Sequence, residues 1–377
     1  MIPNLTMAII SLTPNYFRNL QTDEIKFHTH LNFIVGSNAS GKTSLLEAIY
    51  YLSTGKSFRS RRIRNIVNRD INAKEFILFG RLTNSTDSAI KTHPFTTETV
   101  GIRKTILSKT DIKLNGTLIN SASTLAAISP VVIIDPNSFE LLSGSPKIRR
   151  KFLDWGVFHV EHNFSKCSNE YNNCLKQRNT LLRTAKIDTL QLNIWDQKLS
   201  ALATEIDSSR KSYTELLSVN FKTIIKSFKI GNDINIQYVK GWDKNQSMKE
   251  ALAKYYNKDL ESKFTQVGPH RADLKVTIKG RLVEDVLSRG QQKLLVLALY
   301  LAQIQTLVEC VNKRTVVLID DISAELDHEN LQLIFDRLVA LKTQVICTAL
   351  DKTIVQKALP NDEIYKMFHV EHGKILA

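Results

Sequence analysis

Gly36-Ser37-Asn38-Ala39-Ser40-Gly41-Lys42-Thr43 is the stretch that decides the fold. It satisfies G-x-x-x-x-G-K-[ST], the loop whose backbone N–H groups cradle phosphates. Its flanks are those the motif requires. Leu31, Phe33, Ile34 and Val35 before it read as a strand; Leu45, Leu46, Ile49, Tyr50 and Leu52 after it recur at helical spacing, and Gly55 is the stop. Glycines let the backbone approach the phosphates, the helix N-terminus adds a positive dipole end, Lys42 reaches the outer phosphates, and the Thr43 hydroxyl suits Mg²⁺. All eight residues are therefore candidate contacts to a nucleoside triphosphate.

Such a cradle needs a carboxylate across the site to hold the metal. Val316-Val317-Leu318-Ile319 reads as a buried strand ending in Asp320-Asp321. Asp320 is the candidate metal partner of Thr43. Asp321 is the candidate to orient the attacking water or accept its proton, acting with Lys42 as the catalytic pair. Adjacent acids at a strand end also serve as a helix cap, a role Ser323 offers as well.

The rest of the chain is read outward from these two segments. From about residue 6 to 120, short apolar runs alternate with turns, as in Lys26 to Val35, Glu75 to Leu82 and Thr99 to Leu107, and read as strands. From about 150 to 230 the pattern is helical: Trp195, Leu199, Leu202 and Ile206 share one face, as do Leu217, Phe221, Ile224, Ile225 and Phe228. Helices of about 25 residues, roughly 38 Å, make this a short arm. Asp233 to Val239 and Leu274 to Ile278 read as strands, and after Ser288 helix and strand alternate. The expectation is an α/β sheet with strands from both chain ends. The division expected is an N-terminal ATPase part over 1–150, a helical lobe with the arm over 151–284, and a C-terminal ATPase part over 285–377.

Composition narrows the class. No stretch reads as the roughly 20 apolar residues of a membrane span, and Met1-Ile2-Pro3-Asn4 lacks the order of a signal peptide, so a cytoplasmic protein without a membrane partner is expected. Cys167, Cys174, Cys310 and Cys347 form no CxxC pair, which favours reduced thiols. Against 37 Asp and Glu stand 51 Lys and Arg, a net charge of +14 that suits a polyanion such as DNA or RNA. Lys56-Ser57-Phe58-Arg59-Ser60-Arg61-Arg62-Ile63-Arg64 and Lys147-Ile148-Arg149-Arg150-Lys151 concentrate it.

Two further segments carry a resemblance. Ser288-Arg289-Gly290-Gln291-Gln292 resembles the signature of ABC-type ATPases, and Ser323-Ala324-Glu325-Leu326-Asp327 resembles their D-loop. Across its length the chain resembles the RecF family of bacterial recombinational repair, through Asn15-Tyr16-Phe17-Arg18-Asn19, Ser57-Phe58-Arg59, Gly144-Ser145-Pro146 with Arg149 to Asp154, and Gly268-Pro269-His270-Arg271. The resemblance implies an ABC/SMC-type P-loop ATPase head with a mostly helical second lobe and a short arm. It implies ATP and Mg²⁺ as cofactors, with Ser288, Gly290 and Asp327 closing on a nucleotide held by a second copy. It also implies an ATP-dependent homodimer on DNA, preferring single strands and single/double-strand junctions, with RecO and RecR as partners. A weak DNA-dependent ATPase that helps load recombinase, supports replication restart and permits SOS induction completes that picture.

The departures are specific. Asp321 stands where ABC ATPases carry a glutamate, one methylene longer, and Thr348 stands where many carry a switch histidine; slow hydrolysis is expected. Val131 to Ile134 before Asp135-Pro136 carries no glutamine for a Q-loop contact. Arg18 is a candidate nucleotide contact, and Arg59 or Arg61 a candidate for phosphate charge or DNA, against the alternative of solvated basic surface. Arg149 and Arg150 read as structural, at a helix start set by Pro146. Phe158-His159-Val160-Glu161-His162 recurs as Phe368-His369-Val370-Glu371-His372, where the second copy reads as a hairpin strand rather than half of a metal site. A transporter's nucleotide subunit would not carry the long basic insertion, and a small-molecule kinase has no use for Ser288 to Gln292.

Overall fold

The computed structural model describes residues 8–83, 97–107, 109–184, 188–231, 233–312, 314–321, 328–353 and 365–376. The chain divides into two compact units, one of Met1–Ser138 with Leu307–Ala377 and one of Phe139–Thr306. Along the chain the first unit supplies β1 (Ala8–Asn15), β2 (Ile25–Lys26), β3 (Leu31–Val35), α1 (Lys42–Thr54), β4 (Glu75–Thr83), β5 (Thr97–Thr105), β6 (Thr110–Leu114), β7 (Thr117–Leu118), α2 (Ala122–Ile128) and β8 (Val131–Ile134). The second unit follows with α3 (Glu140–Ser143), α4 (Pro146–Val160), α5 (Phe164–Leu181), α6 (Thr189–Ile225), β9 (Ile234–Val239), α7 (Met248–Ser262), β10 (Asp273–Ile278), β11 (Arg281–Leu282) and most of α8 (Arg289–Val311). The chain then returns to the first unit with β12 (Val316–Ile319), α9 (His328–Ala340), β13 (Gln344–Ala349), β14 (Tyr365–Glu371) and β15 (Lys374–Leu376).

Within the first unit the described strands form two sheets. One has the order β15-β14-β3-β13-β12-β8, in which β3 pairs in parallel with both β13 and β14. An N-terminal strand thus lies between two C-terminal ones, as the pattern from both chain ends predicts. β3, β12 and β13 are buried along their whole lengths, which explains their near-continuous apolar sequence. The other sheet, β2-β1-β4-β5-β6-β7, is antiparallel, and β1 and β4 alternate between buried and more open positions. Leu45, Leu46, Ile49 and Leu52 of α1 join Leu12 and Leu78 of this sheet and Leu318 and Ile346 of the first in one core. Phe76 meets Phe17 and Tyr51 edge to face, with ring centroids 5.0 Å apart in each pair.

In the second unit the arm differs in proportion from the expectation: α5 has 18 residues and α6 has 37. At 1.5 Å per residue α6 is about 56 Å long. Asp188 starts it by accepting from the N–H groups of Leu190 and Gln191, and no glycine or proline interrupts it. Arg178, fully buried on α5, donates to Asp196 on α6 and to Asp259 on α7, at 2.6 Å each. Arg149 forms a two-pronged pair with Asp273 and donates to the Leu142 and Gly144 carbonyls, and Arg150 donates to the Ala272 carbonyl, so both are structural.

The compact units divide after Ser138 and after Thr306, where the sequence reading cuts at 150 and 284. Two contacts explain the shift. Arg149 ties α4 back to the turn at Gly144, and α8 packs on α4 through Phe152 and Tyr300 and through Gln303 Nε2 donating to the Phe152 carbonyl. The membrane reading also needs correction, since α8 is long and apolar enough by composition to span a bilayer. Its apolar run is core: Leu295, Val296, Leu297, Ala298 and Leu299 are fully buried. The repeated pentapeptide splits, Phe158 to Val160 of the first copy closing α4 and Phe368 to Glu371 of the second lying in β14.

Candidate nucleotide site

Gly36 to Thr43 joins β3 to α1, and Lys42 and Thr43 are the first two residues of the helix. Ala39 and Gly41 hold positive φ, 63° and 120°, which curls the loop over the helix N-terminus. The buried Lys42 ammonium donates to the Gly36 carbonyl at 2.6 Å and to the Ser37 carbonyl at 2.9 Å. Burial lowers its pKa, while Asp321 and Asp320 oppose that shift. Ser40 Oγ is buried in the loop with no protein partner.

Asp320 leaves the end of β12 and faces the first turn of α1. Thr43 Oγ1 donates to its Oδ1 at 3.1 Å, and Thr348 Oγ1, at the end of β13, donates to the same oxygen at 2.8 Å. Burial raises the carboxyl's pKa; the two hydroxyls oppose the shift, and Asp135 and Asp321 add to it. Asp135, the residue after β8 where a Q-loop glutamine was sought, thus lies in the electrostatic field of the site, with its own oxygens accepting from Ser138 and Asn137. Asp321 sits at φ 54°, a left-handed backbone, and its N–H donates to Thr348 Oγ1 at 2.9 Å. Thr348 therefore ties both acids together, a role the sequence assigns only by position.

Arg18 and Arg59 meet at a residue the sequence reading passed over. Glu47, in the second turn of α1 and fully buried, receives both prongs of Arg18 at 2.8 Å, Ser57 Oγ at 2.5 Å and Arg59 at 3.7 Å. Arg18 also donates to the Asn65 carbonyl. A carboxylate inside an otherwise apolar helix face was the available signal, because such a group needs a cationic partner. The C-terminal hairpin is the second unforeseen part. The Gly373 N–H donates to the Ser40 carbonyl and its carbonyl accepts from Gln21, both at 2.8 Å, and any Cβ at Gly36 would collide with the Val370 carbonyl.

The signature segment opens α8 in the second unit. Ser288 Oγ accepts from Gln291 N at 3.3 Å, and Gln291 Oε1 accepts from Ser288 N at 3.0 Å, a reciprocal cap. Ser288, Arg289 and Gly290 are exposed, and a Cβ placed on Gly290 would meet nothing within 4 Å. Asp327 and the rest of the D-loop segment lie outside the described residues.

The RecF/RecN/SMC N terminal domain family matches residues 8–376. The DNA replication and repair protein RecF of Cellvibrio japonicus is 37% identical over 371 residues, 98% of this chain and 99% of that protein. Its counterpart in Aliivibrio salmonicida is 39% identical over 369 residues, again 98% and 99%. A solved structure of the recombination mediator protein RecF with ATP, in the RecFOR pathway, superposes with a TM-score of 0.85 at 26% identity over 100% of this chain and 99% of that one. An Smc head bound to the C-winged helix domain of ScpA, 19% identical with a TM-score of 0.57 over 98% of this chain and 96% of that one, shares the fold. With its nucleotide loop, paired acids and head architecture, the chain belongs to the RecF family of DNA replication and repair proteins.

Proposed function

We propose that this chain is an ATP-dependent DNA-binding ATPase of recombinational repair and replication restart, working as a homodimer in which each cradle is closed by the Ser288 to Gln292 segment of a second copy. Gly290 carries this reading. Nothing in its own unit crowds the position and its φ is not positive, so neither packing nor backbone strain within the chain calls for glycine there. A helix N-terminus without a side chain is what close approach to a phosphate on another molecule needs.

The donor set fits ATP with a divalent cation. A hydroxyl and a carboxylate oxygen stand together at a helix N-terminus, and the buried Ser40 hydroxyl points to a ligand for the loop. When bound, Mg²⁺ held by Thr43 and Asp320 neutralises charge on the outer phosphates. Lys42 keeps the loop in shape through its two carbonyl contacts and supplies a cation to the same phosphates. Thr348 fixes the Asp320 carboxylate. Asp321 orients the attacking water and takes its proton, and its short side chain suits slow turnover. Arg18 and Arg59, tethered to Glu47, belong to the nucleotide's surroundings.

DNA is the partner that the charge of +14 favours, and Lys56, Arg59, Arg61, Arg62 and Arg64 form an exposed basic run in the first unit. Single strands and junctions are its preferred forms, and RecO and RecR are its partners in loading recombinase and in SOS induction, a reading supported by the RecFOR pathway to which the solved relative belongs. The place of action is the cytoplasm. Single-turnover hydrolysis tests the chemistry: Asp321→Asn lowers the rate by about a hundredfold and leaves ATP binding within about threefold of the parent. An unchanged rate would remove Asp321 from the reaction.

A further inference from the structure

We propose that the second unit carries a stacking platform for unpaired bases of a nucleic-acid strand, formed by Phe264 with Arg271 and by Trp242 with Lys240. The proposal rests on DNA as the partner and adds a site in the second unit. Phe264 is 40% exposed, a large apolar ring left open to water, with the Arg271 guanidinium over it at 5.4 Å from the centroid. Lys240 lies over the half-buried Trp242 ring at 4.8 Å. Both pairs border one contact: the Gly241 N–Cα–C backbone presses on the Gly268 carbonyl and lies against the Arg271 side chain so closely that no Cβ fits at Gly241. The Gly268 N–H donates to the Gly241 carbonyl at 3.1 Å across it.

The segment that presents Phe264 is held from every side. Thr265 donates through N and Oγ1 to Asn179 Oδ1 at 2.8 Å each, and Gln266 N donates to Asp259 at 2.9 Å. Arg178, fully buried, donates to Thr265 Oγ1, and Arg210 donates to the Pro269 carbonyl. His270 bridges Tyr171 and the Thr265 carbonyl, and burial holds its pKa down to about 4, so the bridge is neutral at physiological pH. Arg178 and Arg210 are ion-paired with Asp259 and Asp154, so the bonds they give this loop come from compensated charges, and the loop they hold presents the Phe264 ring to water.

An ordered aromatic ring paired with a cation offers a base a stacking partner and its phosphate a counter-charge, and this match is tolerant of sequence because every base has a π-face. Exposed Lys244, Lys263 and Lys275 supply further positive charge nearby in sequence, while Asp243 spends an oxygen on Asn245 N. A duplex hides its base faces, so the platform selects single strands.

Fluorescence anisotropy with oligothymidylate of roughly 30 nucleotides and a blunt duplex of equal length, in ATP and Mg²⁺, tests this. Phe264→Ala and Arg271→Gln weaken oligothymidylate binding about tenfold while duplex binding stays within about twofold. Phe264→Tyr, which keeps the ring face, binds like the parent, and this rescue separates stacking from a folding defect. Equal binding by Phe264→Ala and the parent, or equal losses on both DNAs, would overturn the platform and leave the DNA reading standing. A parent chain that binds neither DNA at low salt would overturn both.

Discussion

Thr348 Oγ1 lies 2.8 Å from Asp320 Oδ1 and accepts from Asp321 N at 2.9 Å, so one buried hydroxyl serves as donor to the first acid and acceptor from the second. Replacing it with valine keeps the shape and leaves two polar groups without their partner, a cost of about 1–3 kcal/mol for each group so stranded. The position where many relatives in the wider superfamily use a switch histidine is thus filled here by a group that does not titrate. Thr348→Val is expected to slow ATP hydrolysis about tenfold with little change in ATP affinity, and Thr348→Ser to restore it. Steady-state rates and nucleotide titration read the two effects separately; a Val variant as active as the parent would show that the acids hold themselves.

At the scale of elements, the phosphate loop is built between α1 and the β14–β15 hairpin, so a C-terminal segment sets the shape of an N-terminal site. Gly373 has φ 79° and sits so close to the Asn19 carbonyl that a Cβ cannot be placed, while its N–H holds the Ser40 carbonyl. Gly373→Ala must push the hairpin off the loop. The expected result is at least a tenfold loss of affinity for a fluorescent ATP analogue in a protein that still melts cooperatively; unchanged affinity would mean the loop keeps its form without the hairpin. Local signals carried much of this region: the loop, the Gly55 stop and the strand before Asp320 follow from patterns within about ten residues. The Arg18–Glu47 pair and the Gly373 clasp escaped because they join distant segments. The repeated pentapeptide makes the same point from the other side, since identical letters end a helix at Phe158 to Val160 and build a strand at Phe368 to Glu371. Tertiary surroundings override propensity in so short a run.

For the whole molecule, the proposed dimer draws one half of its closure from each compact unit: the first unit holds the cradle with Asp320 and Asp321, and the second carries the Ser288 helix end and exposed Gly290. The class of fold was legible because β3, β12 and β13 are mostly apolar and buried along their whole lengths, the mark of a sheet covered on both faces. The true lengths of α5 and α6 were not, since an amphipathic stripe fixes a face and leaves the ends to caps such as Asp188. The central claim is that ATP joins two copies through these surfaces. Sedimentation velocity at micromolar protein with ATP and Mg²⁺ tests it most directly: the parent chain sediments as a dimer and as a monomer without nucleotide, and Ser288→Arg stays monomeric while still binding ATP. A parent chain that remains monomeric with ATP, or a Ser288→Arg variant that dimerises as the parent does, would contradict the account.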